Sequence, residues 1–161
     1  MADPQKFILD DGLFLLCKAL RMLGFDALYG GNLPPKEIIR SAIEERRIWI
    51  RSSPEELNLQ YGIRYFVVEH QDTASQLREL EAQFNLKVFA APLSLCLKCN
   101  CRISEVAKDS IRDRVPARVF STFEQFYSCP QCGRVYWPGS HYQRMKAKLA
   151  SWGWEEKHDG P

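Results

Sequence analysis

The sequence predicts an α/β protein: a parallel sheet flanked by helices, then a small four-cysteine ribbon and a C-terminal helix. Three observations carry that prediction. Short apolar runs alternate with amphipathic stretches over the first 90 residues, the pattern of strands joined by helical crossovers. Two C-x-x-C pairs, Cys96/Cys99 and Cys129/Cys132, follow with 29 residues between them. A last amphipathic stretch starts after Ser140.

The elements follow in chain order. Lys6–Asp10 reads as a short buried strand ending in an acid. Leu13–Leu23 is a dense apolar helix, with Gly24 as its stop. Asp26–Tyr29 is a second strand, and Pro34-Pro35 opens a second helix. On that helix Ile38, Ile39, Ala42 and Ile43 share one apolar face. Arg47–Arg51 is a third strand. Ser52-Ser53-Pro54-Glu55-Glu56 reads as a cap, a proline and first-turn acids of a short helix. Ile63–Val68 lacks alternation, which predicts a fourth strand buried on both faces. Asp72 or Thr73 caps a helix striped with Ala74, Leu77, Leu80 and Phe84. Ala91-Pro92-Leu93 is a junction, giving expected domains of 1–90 and 91–154 with a polar tail at 155–161. Ser140 is placed to cap the last helix, 141–152, striped with Tyr142, Met145, Leu149 and Trp152.

The paired cysteines carry chemistry. A C-x-x-C turn lets two thiolates reach one tetrahedral metal centre, and two such turns close a four-thiolate structural zinc site. Gly133 suits the tight knuckle because glycine takes positive φ without strain. The spacing exceeds the usual one, so a helix or long loop must sit between the knuckles. A set of reduced, buried cysteines is the bland alternative, and a redox motif would need only one pair. Cys17 falls inside an apolar helix. Cys101, two residues past Cys99, competes as a ligand, but Cys96 and Cys99 match the spacing of the second pair.

Of the 161 residues, 45% are hydrophobic and 26% charged, an ordinary globular balance. No window holds the roughly 18 uninterrupted apolar residues a membrane span requires. The N-terminal Met-Ala-Asp-Pro-Gln-Lys does not read as an export signal, so a cytoplasmic location and reduced thiols are expected. Net charge is +2, but residues 1–95 hold 11 Lys/Arg against 13 Asp/Glu, and residues 96–161 hold 11 against 7. The second half is the expected partner of an anionic backbone. There His141, Arg144 and Lys148 form a stripe able to meet phosphates, or simply the wet face of a helix. Tyr136 and Trp137 could stack on bases or fill the small core beside a knuckle.

The order of pieces resembles a known family. Asp10 after a strand, Leu20-Arg21-Met22-Leu23-Gly24-Phe25-Asp26, Arg47-Ile48-Trp49-Ile50 and Pro92-Leu93-Ser94-x-Cys96-x-x-Cys99-Asn100 carry the first part of the likeness. Val115-Pro116, Cys129-Pro130-x-Cys132-Gly133-x-x-Tyr136-Trp137-x-Gly139-Ser140-His141 and Met145 complete it. Together they resemble the Mut-seven C-terminal ribonuclease domain family, a PIN-like fold fused to a zinc ribbon. The resemblance runs from about residue 6 to 149.

The resemblance implies a metal-dependent ribonuclease-type protein acting on or binding RNA. In PIN-like nucleases, acids at the C-terminal ends of the parallel strands hold Mg²⁺ or Mn²⁺, which activates water and stabilises charge on phosphate. Asp10 fits the first acid of that set. Near the start of the second helix, where the family has an Asp, the chain reads Pro34-Pro35-Lys36-Glu37, leaving Glu37 as the candidate. After the third strand it reads Arg51-Ser52-Ser53, so Ser53 stands where the family has an Asp. Asp72 is the third candidate acid, and Asp11, Glu55 and Glu56 are others placed to compensate. The alternative reading is a catalytically inactive zinc-ribbon module that binds RNA or protein. Convergence of three or more carboxylates near Asp10 would favour the enzyme.

Overall fold

The computed structural model describes residues 3–54 and 62–154. The chain forms two compact units, Met1–Leu93 and Ser94–Pro161. The short helix expected after Pro54 and the tail from Glu155 lie outside the described residues.

The first unit is built on a four-stranded parallel sheet: β1 (Phe7–Leu9), β2 (Ala27–Tyr29), β3 (Ile48–Arg51) and β4 (Tyr65–Val67), in the order β2-β1-β3-β4. Phe7 pairs with Ala27 on one side and Ile48 on the other, so β1 is central and wholly buried. Helix α1 (Phe14–Met22) joins β1 to β2. It ends at Gly24, whose φ of +90° supplies the left-handed turn that lets the chain reverse into β2. Helix α2 (Pro35–Glu44) carries Pro35 in its first turn, where a missing amide hydrogen costs nothing. Helix α3 (Thr73–Phe84) is capped by Asp72, whose side chain accepts from the Ser75 amide at 2.9 Å.

Alternation along the central strands sorts the two faces. Ile8 and Trp49 meet Ile38 and Ala42 of α2. Phe7 points the other way, edge-on to Phe25 and to Phe84 of α3, and α1 packs against α3. The helices thus flank the sheet as expected.

Two local expectations are corrected. Strand β4 is not buried on both faces: among the described residues it lies at the sheet edge, paired with β3 alone, and Tyr65 is 52% exposed. Its unbroken apolar run reflects Phe66 set edge-on to Phe84 and the burial of Val68 just beyond the strand. Ile43 also leaves the predicted face, standing 48% exposed while Ile38 and Ala42 fill the core.

The second unit holds an antiparallel sheet, β5 (Ser104–Val106), β6 (Phe126–Ser128) and β7 (Val135–Tyr136), in that order. A 3-10 helix (Lys108–Arg114) and α4 (Ala117–Thr122) fill the long connection between the knuckles, as the spacing required. Helix α5 (Ser140–Ser151) follows. Its N-cap is Gly139 rather than Ser140, which is already in the first turn; glycine is an accepted cap because it takes the extended backbone freely. Leu95, Ile111, Phe126, Leu149 and Trp154 are the buried apolar residues described in this unit, together with Cys96 and Cys129.

Candidate functional site

The clearest site is the cysteine cluster. Each knuckle is a C-x-x-C turn closed by backbone bonds. In the first, the Cys96 amide donates to the Cys101 carbonyl at 2.8 Å and the Asn100 amide to the Cys96 carbonyl. In the second, Cys129 N–H donates to the Arg134 carbonyl and Gly133 N–H to the Cys129 carbonyl. The turning residues Asn100 and Gly133 have φ of +59° and +69°, which asparagine and glycine tolerate best. The folding of each turn aims amides at sulfur. Cys99 N–H points at the Cys96 sulfur and Cys132 N–H at the Cys129 sulfur, each at 3.4 Å.

Cys96, Cys99, Cys129 and Cys132 bring one sulfur each to a common centre, all within 4.8 Å of one another. They are free thiols, and this arrangement can hold a metal ion. The donor set fits: four soft sulfurs around one point, two of them buried, with amides and a phenol donating from outside. The phenol is Tyr136, whose hydroxyl donates to the Cys96 sulfur at 3.0 Å. Burial opposes ionisation of Cys129, but the Cys132 and Gln131 amides and the Cys101 thiol overcome it and bring the thiol down to about 6. Cys99 moves the other way, pushed up to about 12 by desolvation and by the neighbouring sulfurs. Burial also opposes ionisation of Cys96, but the Tyr136 hydroxyl and the Cys99 and Lys98 amides outweigh it and bring that thiol down as well.

Cys101 is excluded from the four-sulfur group yet lies beside it, its sulfur 3.3 Å from that of Cys129. Tyr136 thus supports the cluster directly; Trp137 is half-buried one residue further on.

The second candidate site is a cleft at the carboxyl ends of β1 and β3. From β1 the chain crosses to β2 on one side, and from β3 it crosses to β4 on the other. The gap between these two strands is the position where open parallel sheets place ligands. The cleft is open, about 320 Å³, and Asp10, Asp11, Gly30, Gly31, Trp49, Arg51 and Ser52 are among its lining residues. Asp10 directly follows β1, and the Asp10 amide donates to the Ile50 carbonyl, which fixes it against β3. Its Oδ1 accepts from the Trp49 indole at 2.5 Å and its Oδ2 faces the Arg51 guanidinium at 3.8 Å. Asp11 accepts from the Tyr29 hydroxyl at 2.7 Å and from the Gly12 amide at 3.0 Å.

The other candidate acids are elsewhere. Glu37 lies exposed in the first turn of α2, and Asp72 lies exposed as the cap of α3; neither lines the cleft. Ser53 follows Ser52 just outside the lining. Glu55 and Glu56 are outside the described residues. Among the described residues, the four cysteines are the one group of three or more side chains able to share a metal. Among the described residues, two carboxylates line the cleft, Asp10 and Asp11, and the oxygens of Asp10 face an indole and a guanidinium.

Arg51 is the cleft residue that sequence reasoning left out. Its guanidinium is almost wholly buried and lies over the Trp49 ring at 5.1 Å. The signal was its place at the end of the predicted third strand, as Asp10 stands at the end of the first.

His141, Arg144 and Lys148 all stand exposed along α5, as the stripe predicted, with the Lys148 ammonium over the Trp152 ring at 5.2 Å. Among the described residues no helix is long and apolar enough to cross a membrane.

A model of the Mut7-C RNAse domain matches residues 5–149. No curated protein and no solved structure matches the chain.

Proposed function

The chain belongs to the Mut7-C RNAse domain family, and from that membership we propose that it is an RNA-directed protein of nuclease type that binds RNA and cleaves it weakly or not at all. The observation that carries this reading is Arg51 standing beside Asp10 in the cleft at the carboxyl ends of β1 and β3. In-line cleavage with metal assistance needs several carboxylates to fix the cation and its water. Here the first acid is held by an indole and a guanidinium, and serines follow Arg51. The same guanidinium suits the phosphate of an entering strand. Single-stranded RNA suits an open cleft, and the second unit carries exposed cations of its own along α5 that can meet phosphates. The location proposed is cytoplasmic.

The four cysteines hold zinc in this reading. Zinc would be structural, with all four positions filled by protein and none left for water. Cys96, Cys99, Cys129 and Cys132 would ligate it, and Tyr136 would keep the Cys96 sulfur oriented.

A second reading, an active metal-dependent ribonuclease using Mg²⁺ or Mn²⁺, is favoured by one observation: Asp10 and Asp11 both line the cleft. Asp10 would then be the principal ligand. Glu37 and Asp72 would contribute only if the cleft closed over RNA.

Labelled single-stranded RNA decides between them. Binding is measured at low salt and cleavage with Mn²⁺, for wild type beside Asp10→Asn. The expected result is binding by both and cleavage by neither above the other. Strong Mn²⁺-dependent cleavage lost in Asp10→Asn establishes the second reading, and absence of binding at low salt defeats both.

A further inference from the structure

A tetrahedral centre takes four sulfurs, and this unit has five. Cys17, the sixth cysteine of the chain, belongs to the first unit, where its thiol faces the Ala27 carbonyl in the core. Cys101 is the surplus thiol. Its position is built in: its carbonyl accepts the Cys96 amide at 2.8 Å, so the backbone that closes the first knuckle also carries Cys101. Its sulfur lies 3.3 Å from that of Cys129, nearer than the 3.8 Å between the Cys96 and Cys132 sulfurs. Cys101 is half-buried and Cys129 is 1% exposed, so the pair lies at the inner edge of the cluster with access through Cys101. A disulfide has its sulfurs about 2.05 Å apart, a closure that small side-chain rotations supply.

We propose that Cys101 and Cys129 form an oxidation site: hydrogen peroxide joins them as a disulfide, which withdraws Cys129 from the centre and releases the metal. The proposal rests on the zinc reading given above. Peroxide transfers one oxygen to one sulfur of the pair as its O–O bond breaks, giving a sulfenic acid. The other sulfur attacks the sulfenic sulfur, the S–S bond forms and the oxygen leaves as hydroxide or water. Overall, one thiolate, one thiol and one H₂O₂ give one disulfide, one water and one hydroxide. Two electrons pass from the sulfurs to peroxide. Three sulfurs remain for the ion, and the second knuckle keeps only Cys132 of its two ligands. A dithiol reductant reverses the bond and allows zinc to return.

The pairing distinguishes this from general oxidation of a thiolate cluster. Oxidation without Cys101 would have to join ligands to one another, within or between the two knuckles. Cys101 removes that need, since it supplies a partner that is not itself a ligand.

The test uses the full chain as wild type, Cys101→Ser and Cys17→Ser. Zinc content is measured first, then zinc release into a chromophoric chelator during hydrogen peroxide treatment. Disulfides are mapped by mass spectrometry after alkylation. The expected result is equal zinc in all three proteins, severalfold slower release from Cys101→Ser alone, and a Cys101–Cys129 bond in the others. Dithiothreitol with added zinc should restore the metal. Equal release rates with and without Cys101, or a map showing only bonds among Cys96, Cys99, Cys129 and Cys132, overturn the proposal. Loss of zinc from untreated Cys101→Ser also overturns it, because Cys101 would then be a ligand. If the untreated wild type carries no zinc, the zinc reading fails by itself. The map then decides the oxidation site alone: a Cys101–Cys129 bond upholds it and its absence rejects it.

Discussion

The Trp49 indole donates a hydrogen bond of 2.5 Å to Oδ1 of Asp10, across a sequence separation of 39. Ring and acid come from adjacent parallel strands, β3 and the end of β1. Arg51, two residues further along β3, lies over the same ring and faces the other oxygen of the same carboxylate. Asp10 is therefore held from both sides by one strand. A carboxylate so held is preorganised, but preorganised toward an indole and a cation rather than toward a hard metal ion.

The metal centre gives the most direct prediction. Purified protein should carry about one zinc per chain by elemental analysis, since four sulfurs within 4.8 Å of one another suit a single tetrahedral ion. Cys129→Ser should lose the metal and unfold the second unit, because binding and folding are coupled in such modules. Tyr136→Phe is the subtler variant. It removes the hydroxyl that donates to Cys96 without removing a ligand. Zinc should remain bound, with affinity lowered roughly 10–100-fold, the usual effect of losing an outer-shell partner. Chelator competition measures this, and unchanged affinity would show that the phenol merely rests against the sulfur.

Binding through α5 should be electrostatic. Arg144→Glu with Lys148→Glu reverses two exposed charges on one face. Affinity for single-stranded RNA should fall similarly for every sequence, and the slope of log K against log salt should become shallower. Trp152 lies under Lys148, so circular dichroism should first show the helix intact. Undiminished binding would remove α5 from the RNA surface.

Arg47 is the structural cation of the first unit. Its side chain is 4% exposed and reaches Asp26 at 2.7 and 3.1 Å, the Phe7 carbonyl at 3.3 Å and Glu45 at 2.7 Å. Arg47→Met should destabilise the unit by roughly 1–3 kcal/mol, because acceptors gathered around the guanidinium lose their donor. The pH dependence has a definite sign. The Arg47 hydrogen bond holds the Glu45 carboxyl below the usual range. A depressed carboxylate stabilises the fold above its unfolded pKa, and that stability is lost as pH falls through the folded value. Acid melting should therefore be steeper in wild type than in Arg47→Met. Parallel acid limbs in the two proteins would assign the carboxylate titration to other residues.

Local chemistry made much of this fold readable. Pro35 and Gly24 marked where α2 opens and α1 stops, and Asp72 capped α3, because each acts through the backbone of its own neighbourhood. The cysteine knuckles were readable for the same reason: their spacing is their geometry. What spacing could not reveal was placement across strands. The apolar run of β4 looks central in sequence but lies at an edge, since only pairing order decides which strand has two neighbours. Likewise Arg51 and Asp10 meet through the register of β1 and β3. Glu37 and Asp72 were plausible acids by position, yet helix starts place them away from the cleft lining. The nearness of Cys101 to Cys129 needed both knuckles folded.

The serine after β3 gives the last prediction. Ser53 stands where the family resemblance places an acid, next to Ser52 at the rim of the cleft. Wild-type cleavage of single-stranded RNA should be weak or absent with Mn²⁺, for want of carboxylates to position the cation and its water. Ser53→Asp adds a negative charge near Arg51, which can draw the guanidinium away from Asp10 and leave that carboxylate available to a cation. It should raise Mn²⁺-dependent cleavage, and the gain should vanish in the double variant with Asp10→Asn. That double variant also controls for contaminating nuclease. Strong wild-type cleavage, lost in Asp10→Asn and indifferent to Ser53→Asp, would mean that another acid completes the site. Asp11 would be the first residue to replace, because it already lines the cleft beside Asp10.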